Sequence, residues 1–167
     1  MPVQLTSDMK AVIHSAHLCF AATVTADGRP NLSPKGTIRV WDESSLFFLD
    51  IASPGTRANL EARPWMELNV VDQLSRRGYR FAGPGVMHTQ GAVFDEGCRR
   101  IFGEERAKYP VAGVVVLQVE TAAPLISPGY LHVRDEADMR AQWRERRAAL
   151  DREFEAFIER LGPFPRS

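Results

Sequence analysis

The sequence predicts a mainly β (α+β) protein, a six-stranded antiparallel β-barrel with peripheral helices. Three observations carry this. Alternating or β-branched runs recur as far as residue 126. The connections at Asp27-Gly28 and Asp42–Ser45 are too short for parallel crossovers. Helical periodicity is confined to brief segments between strands and one long segment near the end.

Residues 7–16 read as a short helix, with Thr6 or Ser7 as cap and Met9, Val12, Ile13 and Ala16 on its apolar side. Residues 18–26, LCFAATVTA, read as a strand, and Asp27-Gly28 is a hairpin turn. The returning strand is 30–40, PNLSPKGTIRV, in which Asn31, Ser33, Lys35, Thr37 and Arg39 share one face. After a second turn, 45–52 forms a third, strongly apolar strand, and these three are expected to make one meander. Residues 53–64 read as a loop and a short helix that stops before Pro64. Strands follow at 65–73 and from Gly78 to Gly83, the latter extending towards Thr89 with an interruption at Gly83-Pro84-Gly85. Residues 94–109 suit a helix, with acidic residues early and basic residues late. Residues 111–126 read as one long buried strand. The segment 135–161 reads as a long helix whose stripe runs through Met139, Trp143, Leu150, Phe154, Phe157 and Leu161. The barrel is thus expected over about 18–126 within a single domain, and PFPRS reads as a frayed tail.

The 167 residues suffice for one sizeable core. Lys plus Arg equals Asp plus Glu at 21 each, so no basic excess favours nucleic acid. Cys19 and Cys98 form no CxxC, which favours a reduced compartment. The N-terminus lacks the pattern of a signal peptide, and no apolar run is long enough for a membrane span. The expectation is a cytoplasmic protein that engages neither membrane nor nucleic acid.

Two stretches carry candidate chemistry. Lys35 stands mid-strand on the polar face beside Ser33 and Thr37, with Pro34 and Gly36 interrupting the pattern. Taken alone, a solvated edge explains such a face. Ser53-Pro54-Gly55-Thr56-Arg57 opens a helix whose unpaired N–H groups favour an anion, with Thr56 and Arg57 as further donors. Taken alone, an ordinary cap explains that as well. The chain turns back between the two stretches, so Lys35, Thr56 and Arg57 are expected to converge on one phosphate dianion. His14 and His17, three residues apart, have no metal-spaced partners, and His88 and His132 stand alone. No P-loop, GxGxxG or nucleophile elbow is present. Arg80 alternates with Tyr79 and Phe81 and reads either as a ligand contact or as part of a surface cluster with Arg76 and Arg77.

The ordered set AATVTADGRPNLSPKGTI, LFFLDIASPGTRANLEARP and ELNVVDQLSRRGYRFAG resembles the pyridoxamine 5'-phosphate oxidase-like family of FMN-binding split barrels, over roughly residues 5–126. The resemblance implies a split barrel and a homodimer with FMN at the subunit interface. It places the phosphate against Thr56 and Arg57, with Asn59 nearby. The family's usual Ser-Arg-Lys is Thr56-Arg57-Ala58 here, and Lys35 is the candidate replacement for the missing cation. It places the flavin ring along Ser33, Lys35, Gly36 and Thr37 on one strand and Asp50, Ile51, Ala52 and Ser53 on the next. Arg80 is a further candidate contact, from either subunit. True pyridoxamine phosphate oxidases carry a C-terminal Arg-x-His, which RRAALDREFEAFIERLGPFPRS does not offer.

The function implied is an FMN-dependent oxidoreductase that passes electrons from a reductant such as NAD(P)H to an acceptor, with no side chain identified as an obligatory acid or base. The alternative is a non-catalytic protein that binds flavin, deazaflavin or haem, or serves in stress.

Overall fold

Residues 30–40 form two strands, and that break organises the sheet. In the computed structural model, which describes residues 1–103 and 110–162, the strands are β1 (Cys19–Val24), β2 (Pro30–Lys35), β3 (Arg39–Val40), β4 (Ser45–Asp50), β5 (Trp65–Asp72), β6 (Arg77–His88), β7 (Gly113–Gln118) and β8 (Thr121–Ile126). The helices are α1 (Ser7–Ala16), α2 (Pro54–Ala62), α3 (Ala92–Phe102) and α4 (Glu136–Leu161), with a 3-10 turn at Pro128–Leu131. The sheet is antiparallel, a curled half-barrel in the order β2-β1-β5-β6-β7-β4-β3, with β8 paired to β6.

Six expected strands become eight because two of them divide. The stretch 111–126 splits at Val119-Glu120 into β7 and β8. The stretch 30–40 splits at Gly36-Thr37. There the Thr37 hydroxyl accepts the Leu49 N–H at 2.9 Å, taking a donor that a continued strand would have used. The expected three-strand meander therefore does not form. β2 pairs with β1 in one half of the sheet, and β3 pairs with β4 in the other. The two outermost strands of the path, β2 and β3, are consecutive in sequence. The sheet is open where the chain crosses from one to the other.

The polar face of β2 points inward. Lys35 lies opposite the buried Cys19, Ser33 opposite Ala21 and Asn31 opposite Thr23. The apolar alternates turn outward, and Leu32 is 65% exposed. All six residues of β4 are buried. Its two faces serve two clusters. Leu46 and Phe48 join the barrel core with Phe81, Leu117 and α1's Val12 and Ile13, while Phe47 and Leu49 pack with Val114 against α3. Each such side chain contributes about 1.5–3 kcal/mol on burial.

The interruption expected at Gly83-Pro84-Gly85 is a change of partner, because β6 runs through it. Its first part pairs with β5 as far as Pro84, and Gly85–His88 pair with β7. A Cβ on Gly83 would sit 1.9 Å from the Gln118 carbonyl oxygen, so only glycine allows this approach. Helix α1 has the expected bounds, and the Thr6 hydroxyl caps it through the Met9 N–H at 3.2 Å. Helix α2 begins at Pro54 and stops before Arg63-Pro64. The helix expected over 94–109 is observed as α3 within the described residues, and positions 104–109 and PFPRS lie outside them.

The strands and the first three helices belong to one compact unit, Met1–Asp72 with Arg77–Leu125. The second unit joins the turn Gln73–Arg76 to the chain from Ile126 onward. In it Arg76, at φ 57°, accepts the Ser127 N–H on its carbonyl at 3.1 Å, and the Tyr130 hydroxyl donates to the Ser75 carbonyl at 2.7 Å. Asp135 caps α4 by accepting the Asp138 N–H at 2.9 Å. Among the described residues, no helix is long and apolar enough to cross a membrane.

Candidate functional site

A cleft of about 360 Å³ opens where the sheet fails to close. Ser33, Pro34, Lys35, Gly36 and Thr37 form one wall, and Leu49, Ile51, Ala52 and Ser53 the other. From the lining residues Lys35 and Ser53 a hydrogen-bond chain runs to Asp50 and Arg57 behind them. The Lys35 ammonium donates to the hydroxyls of Ser33, at 2.5 Å, and Ser53, at 2.6 Å. The Ser53 N–H donates to Asp50 Oδ1 at 2.9 Å, and Arg57 Nη2 donates to Asp50 Oδ2 at 3.2 Å. Lys35 and Arg57 are thus joined through Ser53 and the buried carboxylate of Asp50.

The two cations differ in how far they are committed. Lys35 is almost fully buried, lies 5.5 Å from the centre of the Phe48 ring and forms no direct ion pair with a described carboxylate. Burial pushes its ammonium below the usual lysine range, and the nearby Asp50 and Cys19 partly oppose this. Among the described residues its ammonium is met by two hydroxyls, by the Phe48 ring and, at longer range, by Asp50. Arg57 is ion-paired to Asp50, yet its Nε is buried without a hydrogen-bond partner and its side chain is 38% exposed. Ser53 ends at the N-terminus of α2, where Pro54 has no N–H and the first-turn amides lack intrahelical acceptors.

The remaining candidates separate. Thr56 and Asn59 are buried and face the sheet. Asn59 Nδ2 donates to Thr23 Oγ1 at 2.9 Å, Asn31 Nδ2 to the same oxygen at 3.0 Å, and Asn31 Nδ2 approaches Thr56 Oγ1 at 3.5 Å. Their side chains seat α2 on β1 and β2, and they do not line the cleft. Arg57 and Asp50 are likewise not among the residues that line the cleft, and Thr56 is almost fully buried beside Asn31. Arg80 also lies apart. It projects from the outer face of the sheet and pairs with Glu67 at 3.0 Å. Leu49 and Pro34 line the cleft without having been expected. Leu49 precedes Asp50 in a fully buried strand, so only the break at Gly36-Thr37 reveals that it borders an opening. His14 and His17 are exposed, with ring centres 5.9 Å apart. No group of three metal-binding side chains occurs among the described residues.

A curled, open antiparallel sheet with a lysine-bearing cleft beside a helix N-terminus defines the class of split barrels. Residues 5–123 match the sequence model for pyridoxamine 5'-phosphate oxidase, and the chain belongs to that family. Among solved structures, the tagged HupZ protein of Group A Streptococcus is 33% identical with a TM-score of 0.65, over 73% of this chain and 94% of that one. An FMN-binding protein from Syntrophomonas wolfei subsp. wolfei shares the fold at 16% identity and a TM-score of 0.61, over 72% and 85% of the two chains. HutZ, the haem storage protein from Vibrio cholerae, shares it at 18% identity and a TM-score of 0.54, over 74% and 95%. No curated protein matches the sequence.

Proposed function

We propose that the chain is an FMN-binding flavoprotein that passes electrons from a reductant such as NAD(P)H to an acceptor. The observation that carries this is the chain Lys35–Ser53–Asp50–Arg57, which begins at the cleft-lining Lys35 and Ser53. A phosphoryl group there would pair with the Lys35 ammonium, offer an acceptor to Arg57 Nε and cap the first-turn amides of α2. The cleft walls suit the flavin ring. Ile51 and Leu49 offer apolar contact, and a Cβ built on Gly36 meets no heavy atom within 4 Å, leaving room for a planar ligand against the backbone.

FMN, when bound, supplies the two-electron chemistry. The chain's own groups would anchor the phosphoryl end, and backbone at Gly36 and Ala52 would meet the ring's polar edge. No described residue lining this cleft is a His, Cys, Met or Tyr, the ordinary axial ligands of haem iron. This favours flavin over the haem alternative.

We further propose a homodimer through the outer face of the sheet. Phe20, Val24, Leu32 and Trp65 are exposed on that face, and Arg80 shares it, two strands from Phe20 through Asn69. Water-exposed apolar area of this extent is characteristic of interaction surfaces. Arg80 would then reach a cofactor only across the interface.

The test is a titration with FMN followed by reaction with NADH or NADPH and reoxidation by candidate acceptors. Binding with rapid bleaching supports the oxidoreductase. Binding without bleaching supports a carrier or storage protein. Arg57→Ala should weaken FMN binding by ~1.5–3 kcal/mol, the range for a hydrogen bond to a charged group, and unchanged affinity would place the phosphate elsewhere.

A further inference from the structure

Helix α4 carries a stripe of apolar residues in water. Leu150, Phe154, Phe157 and Leu161 are 38–60% exposed. With Trp143 and Arg147 they recur at alternating steps of four and three, the a and d positions of a heptad. Two further features point to what covers the stripe. The flanking positions divide their charge: Arg144 and Arg146 stand in the first half, Asp151 and Glu153 in the second. Arg144, Arg146 and Glu153 form no ion pair with a described residue, and Asp151 is held only by Arg147, at 2.8 Å. A cavity of about 350 Å³ also lies against the helix, bordered by Leu74, Arg76, Trp143, Arg147 and Leu150. In it the Arg76 guanidinium lies 4.1 Å from the centre of the Trp143 ring, and its Nε is buried without a partner.

We propose that α4 packs antiparallel along its full length against α4 of a second copy of this chain. Antiparallel helices set a positions against d, with e facing e and g facing g across the seam. Full overlap puts Trp143 against the partner's Phe154 and Arg147 against the partner's Leu150. The partner's phenyl ring then enters the cavity beside the Arg76–Trp143 stack. The same overlap puts Arg144 opposite the partner's Asp151 and Arg146 opposite the partner's Glu153, and the twofold axis repeats both pairs.

Other registers are worse. A parallel pair stacks Arg147 on the partner's Arg147. An antiparallel pair displaced to bring Trp143 onto the partner's Leu161 sets Arg146 against the partner's Arg160 and Glu153 against the partner's Glu153. Charge therefore selects the fully overlapped pair. This inference is independent of the cofactor.

The test uses the full chain carrying Cys98→Ser, which leaves only the buried Cys19. Arg147→Cys with Leu150→Cys should form disulfide-linked pairs of chains under mild oxidation. Glu145→Cys with Arg152→Cys, on the opposite side of the helix, should not. Adding Arg144→Glu and Arg146→Glu to the first set should cut the yield several-fold, and further adding Asp151→Arg and Glu153→Arg should restore it. Circular dichroism verifies that each variant remains folded. The yield is informative whatever other contacts join two chains. Equal yields from the two cysteine pairs, or charge reversal without rescue, would overturn the proposal.

Discussion

Replacing Lys35 by methionine separates the cofactor role of this residue from its structural one. The two side chains are both unbranched and similar in length, so the packing beside Cys19 and Phe48 is largely kept. The ammonium gives up hydrogen bonds to two hydroxyls, but Ser33 and Ser53 already lie 3.4 Å apart and can then pair with each other. Asp50 keeps the Ser53 N–H and Arg57. The lost hydrogen bonds and the relieved desolvation of a buried cation oppose one another, so apo-protein stability should change by no more than about 1 kcal/mol. FMN affinity should fall by ~1.5–3 kcal/mol, a factor of about 10–140 in Kd. Riboflavin has the same ring without the phosphate, so its affinity should hardly move. Quenching of flavin fluorescence measures both constants, and urea denaturation measures stability. An equal loss for FMN and riboflavin would place Lys35 on the ring, and no loss for either would remove it from the site.

The other predictions concern the walls, the bend and titrating groups. Gly36→Val should weaken riboflavin and FMN alike while sparing thermal stability, because its side chain enters open space in the cleft; tight binding of both by the variant would mean the ring lies elsewhere. Gly83→Ala should cost about 1–3 kcal/mol or more and lower Tm by several degrees, since the Gln118 carbonyl occupies the Cβ position; an unaltered melting curve would contradict the close approach. Asp8 is held below the usual carboxylate range by the Tyr79 hydroxyl and by Arg77, against the opposing effect of burial. Its folded pKa is depressed, so its contribution is present above the unfolded value of 3.8 and is lost as pH falls through the folded value. Asp8→Asn should cost roughly 1 kcal/mol or less at pH 7, with the difference from wild type vanishing in acid, as acid-series denaturation would register. Burial pushes the Cys19 thiol up to about 12. A folded pKa above the unfolded value of 9.0 means that stability from this group falls as pH rises through the interval between them. An aromatic disulfide reagent at pH 8 should therefore modify Cys98 in the native protein and Cys19 only after unfolding, and rapid native reaction of both would contradict the buried environment.

Much of the architecture was written in local patterns. The Asp27-Gly28 turn, the Thr6 cap and the stop at Arg63-Pro64 depend on neighbouring residues alone, and each was readable. The division of 30–40 was visible as a fault in the alternation, but its meaning was not, because it depends on Leu49 donating to Thr37 across the sheet. The split of 111–126 had no local mark, since Val119-Glu120 does not break a β pattern; the partner strand β6 decides it. Lys35, Ser53 and Arg57 carried polar signals at unusual positions, and the structure joins them in one hydrogen-bond chain. Thr56 and Asn59 carried the same signals and are buried against β1 and β2. A nine-residue helix presents successive residues to different sides, and sequence did not show which side meets β1. Arg80 was ambiguous for the corresponding reason in a strand: a shift of one position moves a side chain to the other face.

The most direct test of the account is the visible spectrum of the freshly purified chain, with identification of any chromophore released on denaturation. The account predicts a flavin spectrum, or its appearance on adding FMN to colourless protein, and FMN itself in the released fraction. A protein that stays colourless after incubation with FMN, or one that releases haem, would contradict it.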